Sequence, residues 1–176
     1  MRIGLLGGSF NPPHQGHIHI SLEAKKRLGL KQIWWIPAKR NPLKLVVSRK
    51  SLVVSRIEDC QEITRKYPQI LVKDLEKNIA SIYTIDLLKK ITKQFPNYQF
   101  YWIIGADNIL QFHKWKNWRE IIKLVPLIVC DRDEFFYDAV KSKAFLYAKK
   151  LGRIEFLKIK KSPESSTKIR NNNLSS

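Results

Sequence analysis

Residues 7 to 17 read Gly7-Gly8-Ser9-Phe10-Asn11-Pro12-Pro13-His14-Gln15-Gly16-His17, and what flanks them decides the fold. Before them runs Arg2-Ile3-Gly4-Leu5-Leu6, short and apolar enough for a buried strand. After them, Ile18 to Leu28 repeats apolar residues at i, i+4 (Ile18/Leu22, Ala24/Leu28), a helix spacing. The glycines therefore close a strand and the histidines open a helix. At such a junction backbone N–H groups point outward and the helix dipole favours an anion, so phosphate is the expected ligand. Gly7 and Gly8 let the backbone approach a ligand closely, and Pro12-Pro13 stiffen the turn. His14 and His17, three apart, can face one site at the helix mouth.

The spacing is neither the dinucleotide fingerprint G-x-G-x-x-G nor a P-loop, which ends in Gly-Lys-Ser/Thr. The residues alone leave three readings: a phosphate site armed with two imidazoles, a turn whose histidines are surface caps, or a zinc site. Zinc is poorly served, because Cys60 and Cys130 are distant in sequence and no H-E-x-x-H occurs.

The chain has 176 residues, the length of one domain, and 44% of them are hydrophobic, enough for a packed core without disulfides. Two cysteines without C-x-x-C or metal spacing suit a reducing cytoplasm. The sequence enters a strand at once, so no signal peptide is expected. The apolar region Ile121 to Cys130 is interrupted by Lys123 and Pro126 and is too short to span a bilayer. The net charge of +18, from 33 basic and 15 acidic residues, points to anionic ligands and raises nucleic acid as a partner. The charge is dispersed and mostly lysine, and no nucleic-acid motif accompanies even the lopsided stretch from Lys141 to Ser176, with ten basic and two acidic residues. Solvated lysines are favoured over a nucleic-acid groove.

Strand-like and helix-like segments alternate throughout, which predicts an α/β fold, a parallel sheet with helices on both faces. Further strands are expected at Gln32–Ile36, Ile70–Val72, Phe100–Ile104, Leu127–Cys130 and Ile154–Ile159. Helices are expected at Ser48–Lys66, Thr84–Phe95 and Phe136–Leu151, with two short ones between Gly105 and Leu127. A basic loop, Lys39-Arg40-Asn41-Pro42-Leu43-Lys44, follows the second strand, where open α/β sheets put their ligands, and its cations are candidate phosphate donors. Thr84 reads as a helix N-cap, Trp115 as either core or a stacking platform, and the tail 171–176 as frayed.

The stretch Gly7-Gly8-Ser9-Phe10-Asn11-Pro12 with His14-Gln15-Gly16-His17 resembles the signature of the nucleotidylyltransferase superfamily, with Ser9 and Asn11 where Thr and Asp are more usual. Ser165-Ser166-Thr167-Lys168-Ile169-Arg170 is similar to the superfamily's second motif, Ile-Ser-Ser-Thr-x-Ile-Arg, with Glu164 in the place of its isoleucine. Between them, Ser81-Ile82-Tyr83-Thr84, Gly105-Ala106-Asp107-Asn108, Trp115-Lys116-Asn117-Trp118 and Cys130-Asp131-Arg132 resemble segments of the members that adenylylate nicotinate mononucleotide. The pantetheine-phosphate and cytidylyl relatives share the two terminal motifs and lack the Gly-Ala-Asp-Asn…Trp segment.

The resemblance implies one Rossmann-like, doubly wound domain over residues 1–176. It implies adenylyl transfer from ATP to nicotinate mononucleotide, with Mg2+ brought in on ATP. By the same token His14, His17, Lys44 and Arg170 act on the phosphates. ATP is bound by Gly7, Gly8, Ser9, Phe10, Gly16, Gly105, Asp107, Ser165, Ser166 and Thr167. The mononucleotide is bound by Lys44, Thr84, Trp115 and Arg132, with Trp115 flat against the pyridine ring. Leu43 stands where relatives carry a histidine, and His113 where they often carry proline. The resemblance also implies a longer helix after Arg170 than this sequence supplies, so that cradle is expected to be loosely held or ordered only with ATP. A pantetheine-phosphate-type transferase and a non-catalytic basic nucleotide- or RNA-binding module are the alternatives.

Overall fold

The computed structural model describes residues 1–39, 53–77, 79–131 and 135–159. Six strands form one parallel sheet: β1 (Arg2–Gly8), β2 (Gln32–Pro37), β3 (Ile70–Val72), β4 (Gln99–Gly105), β5 (Leu127–Asp131) and β6 (Ile154–Lys158), in the order β3-β2-β1-β4-β5-β6. From β1 the chain moves one way to β2 and β3, then returns to lay β4 on the other side of β1. This is the Rossmann-like, doubly wound order, and its switch point lies between the carboxyl ends of β1 and β4.

Period-two alternation splits the core between two faces. Ile3, Leu5, Trp34, Trp102 and Ile104 pack against α3 (Thr84–Gln94), α4 (Ala106–Gln111), α5 (Trp118–Leu124) and α7 (Lys143–Lys150). Leu6, Ile33, Trp35, Ile103 and Ile128 pack against α1 (Gln15–Leu28) and α2 (Val53–Thr64). The adjacent tryptophans Trp34 and Trp35 thus serve opposite cores. The register sets Leu5 between Trp34 and Trp102.

Helix α1 opens three residues earlier than its apolar repeat suggests, at Gln15, because His14 caps it. Of the helix expected from Ser48, residues 48–52 lie outside the described part, and its end at Thr64 is earlier than expected. The helix expected over 136–151 is two: α6 (Phe136–Lys141) and α7, divided at Ser142. There the Ser142 hydroxyl donates to the Ala139 carbonyl (2.7 Å) and accepts from the Phe145 N–H (3.3 Å). A serine side chain that competes for helical backbone groups both ends one helix and caps the next. Among the described residues no helix is long and apolar enough to cross a membrane. The tail 171–176 lies outside them.

Candidate active site

The turn after β1 carries the polar chemistry of the switch point. His14 is the N-cap of α1, in extended conformation, and its Nδ1 accepts the Gly16 N–H at 3.1 Å. His17 returns the bond: its Nδ1 accepts the His14 N–H at 3.2 Å. The pair is a capping box built from two imidazoles. A neutral imidazole whose Nδ1 accepts must carry its proton on Nε2, so both rings present an Nε2–H donor. Their centroids are 3.9 Å apart, His14 is 6% exposed and His17 is half-buried. The capping and chemical readings of these histidines are therefore compatible: Nδ1 caps, and Nε2 is the nitrogen a chemical role would use.

The rings are held from behind. Phe10, fully buried at the tip of the turn, lies 4.8 Å from His17 and stacks on Trp35 at 4.8 Å. Trp35 donates its indole N–H to Ser21 Oγ (2.8 Å), which donates to the His17 carbonyl (2.8 Å). Phe10 takes φ 45°, a left-handed backbone uncommon for a bulky residue. With its ring in the core, Phe10 offers a ligand only its backbone. The Gly16 N–H is likewise engaged by His14.

Two buried charges sit beneath this turn that the sequence did not announce. Arg56, on α2 and 7% exposed, donates from Nη1 to the Ser9 carbonyl at 2.5 Å. Glu76, 8% exposed after β3, accepts the Lys39 N–H at 2.7 Å. Desolvation lowers the Arg56 pKa, opposed by electrostatic interaction with Cys60 and then Glu76. Desolvation raises that of Glu76 against the Lys39 N–H and the charges of Lys39 and Arg56. Burial pushes the neighbouring Cys60 thiol up to about 12, so Cys60 stays protonated and offers no nucleophile. Arg56 belongs to a buried i, i+4 row with Cys60 and Thr64; a charge on that row was the available signal. Lys39, expected to reach phosphate, instead donates its ammonium to the carbonyls of Lys77 and Ile79, both at 3.1 Å.

On the other face a chain of contacts runs from the turn to the expected ring pocket. Gly7 abuts the Trp102 ring so closely that a Cβ would lie 2.7 Å from Cζ2. Trp102 meets Trp115 edge-on at 6.4 Å, and Trp115 also tilts against Phe112 at 4.7 Å. Lys116, next to Trp115, places its ammonium 4.3 Å from the centre of the Tyr83 ring. The structure therefore sets Gly7 and Trp115 against Trp102, with Lys116 over Tyr83, the residue before Thr84. Trp115 is half-buried, with one side against the core. Trp118 packs edge-on against Tyr147 at 5.3 Å.

Thr84 is not the N-cap. That position is Tyr83, whose side chain makes no capping bond, and Thr84 is the first helical residue of α3. Ser81 takes over the polar work, accepting the Tyr83 N–H (3.1 Å) and donating to Asp86 (2.5 Å). At the end of β4, Gly105 is the N-cap of α4, and Asp107 is exposed in its first turn with a carboxylate oxygen where a Gly105 Cβ would be. Lys44, Arg132, Ser165, Ser166, Thr167 and Arg170, with Arg40 of the basic loop, lie outside the described residues. Asp131, next to Arg132, is buried at the end of β5 and accepts the Phe135 N–H at 3.3 Å.

Comparison with known proteins bears on this geometry. The Cytidylyltransferase-like family profile matches residues 5–172. A protein of Agrobacterium fabrum named "Probable nicotinate-nucleotide adenylyltransferase" is 38% identical over 189 aligned positions, covering 98% of this chain and 99% of its own. One of Parvibaculum lavamentivorans with the same name is 39% identical over 144, covering 82% and 71%. Among solved structures, the nicotinic acid mononucleotide adenylyltransferase of Plasmodium falciparum, complexed with NaAD, superposes with a TM-score of 0.77 at 23% identity. That superposition covers 97% of this chain and 82% of the other, a likeness of fold.

Proposed function

This chain belongs to the nicotinate-nucleotide adenylyltransferases of the cytidylyltransferase-like family, and from that premise we propose how its own residues carry the reaction. ATP and nicotinate mononucleotide give deamido-NAD and pyrophosphate. The 5′-phosphate of the mononucleotide attacks the α-phosphorus of ATP in line and pyrophosphate leaves. The nucleophile is already an anion, so no general base is needed, and catalysis reduces to positioning and charge neutralisation.

The observation that carries this reading is the reciprocal His14–His17 cap at the switch point, which puts the proton of each ring on Nε2 beside a backbone turn. His17 holds the triphosphate and His14 meets the charge that develops on the α-phosphoryl oxygens. Gly7, Gly8, Ser9 and Phe10 supply close-approaching backbone, with Gly105 and Asp107 across the crevice from β4. Trp115 lies under the pyridine ring, and the N-terminus of α3 at Thr84 faces its carboxylate. Lys44 and Arg170 grip phosphates from two sides, Arg132 the mononucleotide phosphate, and Ser165, Ser166 and Thr167 the triphosphate; these assignments rest on the sequence motifs alone. Mg2+ enters as part of the ATP substrate, as counter-ion to its phosphates. We take residues 1–176 as one nucleotidylyltransferase domain, supported by the span of the family match, working in a reducing cytoplasm.

The test is pyrophosphate release from ATP and Mg2+ by the purified protein. Release should depend on nicotinate mononucleotide and should not be elicited by phosphopantetheine. Release with phosphopantetheine and none with the mononucleotide would move the protein to the pantetheine-phosphate branch. Release with neither would leave the binding-module reading.

A further inference from the structure

Building on the adenylyl-transfer reading, we propose that Arg56 is a positioning residue for this reaction: from α2 its guanidinium holds the Ser9 carbonyl and thereby fixes the Ser9–Phe10 peptide of the phosphate turn. The bond is 2.5 Å long and joins residues 47 apart in sequence. Arg56 is 7% exposed, and a guanidinium is kept out of water only where it is paired and hydrogen-bonded. The charge of Glu76, nearly as buried, attracts the guanidinium at longer range.

The peptide it holds is the one that needs holding. Phe10 sits at φ 45°, and such strain persists only when the surroundings over-determine it. The Phe10 ring is pinned by Trp35 and His17; Arg56 pins the peptide on its N-terminal side. A trans peptide is planar with C=O and N–H opposed. Drawing the Ser9 carbonyl toward α2 therefore turns the Phe10 N–H to the opposite side. If that carbonyl were released, Phe10 could relax toward an ordinary backbone, and its ring would carry the His17 contact with it. Arg56 would thus act on ATP through the turn and the histidine without touching the reacting atoms.

A structural role without positioning would lower stability and the fraction of active protein, and would leave both Michaelis constants alone. The experiment compares Arg56→Lys, Arg56→Ala and Glu76→Gln with wild type by thermal melting, steady-state kinetics in each substrate and binding of a non-hydrolysable ATP analogue. Losing a charged hydrogen bond of this kind corresponds to roughly tenfold or more. Arg56→Lys should raise the KM for ATP and lower kcat by about that factor, with the KM for the mononucleotide within about twofold. Added guanidinium ion should restore part of the Arg56→Ala activity, and Glu76→Gln should shift the same parameters by less. If Arg56→Ala does not fold, Arg56→Lys and Glu76→Gln decide. A folded Arg56→Lys with both Michaelis constants unchanged would overturn the proposal. Should wild type itself form no dinucleotide, the adenylyl-transfer reading fails, and analogue binding decides Arg56: affinity of Arg56→Lys within about twofold of wild type would refute its role.

Discussion

His14→Ala should lower kcat by roughly two to three orders of magnitude, the loss seen when a donor to a developing oxyanion is removed, about 2.7–4 kcal/mol, while ATP affinity changes far less. The expectation follows from the division of labour in the ring. Nδ1 is committed to the Gly16 N–H, so the proton is on Nε2 and, in the proposed mechanism, would be spent on charge that grows in the transition state. Alanine removes the cap as well, which costs a helix about 1 kcal/mol. A stability control is therefore needed. His14→Asn keeps a side-chain acceptor at the cap but not the imidazole N–H. It should melt close to wild type and still lose most of its turnover. Steady-state kcat, analogue binding and melting of the three proteins check this, and near-normal kcat in either variant would remove His14 from the chemistry.

The second large effect is substrate choice. Nicotinate mononucleotide should exceed its amide counterpart in kcat/KM by about tenfold to a hundredfold, the equivalent of roughly 1–3 kcal/mol. In the proposed pocket, stacking on Trp115 would not discriminate, since both rings would stack. The ring substituent decides. α3 begins at Thr84 with no side-chain cap from Tyr83, and the ammonium of Lys116 lies over Tyr83. A helix N-terminus whose cap residue makes no side-chain bond, beside a cation, suits a carboxylate, which only accepts hydrogen bonds, whereas an amide would point its NH2 at donors. The net charge of +18 acts in the same direction. Equal kcat/KM for the two mononucleotides at matched ATP and Mg2+ would show the ring pocket to be misplaced even if the phosphate chemistry holds.

The sheet could be read from apolar runs because a parallel sheet buries both faces of its strands: Ile33-Trp34-Trp35-Ile36 is one unbroken run serving two cores. The strand–turn–helix at Gly7 to His17 was legible for the same reason, with glycine and proline marking where the run stops. The break at Ser142 was not, because helical periodicity continues across it and one hydroxyl decides the local competition. Thr84 was misplaced by one residue because the motif offered a hydroxyl while the backbone chose Tyr83 as cap. Arg56 and Glu76 escaped because an isolated charge ordinarily reads as solvent-facing. The partner of Arg56 is a backbone carbonyl 47 residues away, which no local pattern encodes. The Gly7–Trp102 fit likewise exists only once β1 and β4 are paired.

Direct attack of the mononucleotide phosphate on the α-phosphorus of ATP is tested by heavy-oxygen labelling of that phosphate. With wild-type protein, Mg2+ and unlabelled ATP, mass spectrometry of the products should find the label wholly in deamido-NAD, with unlabelled pyrophosphate in equal amount and no AMP. Label in the pyrophosphate, or AMP as the main adenine product, would place the attack elsewhere and contradict the account.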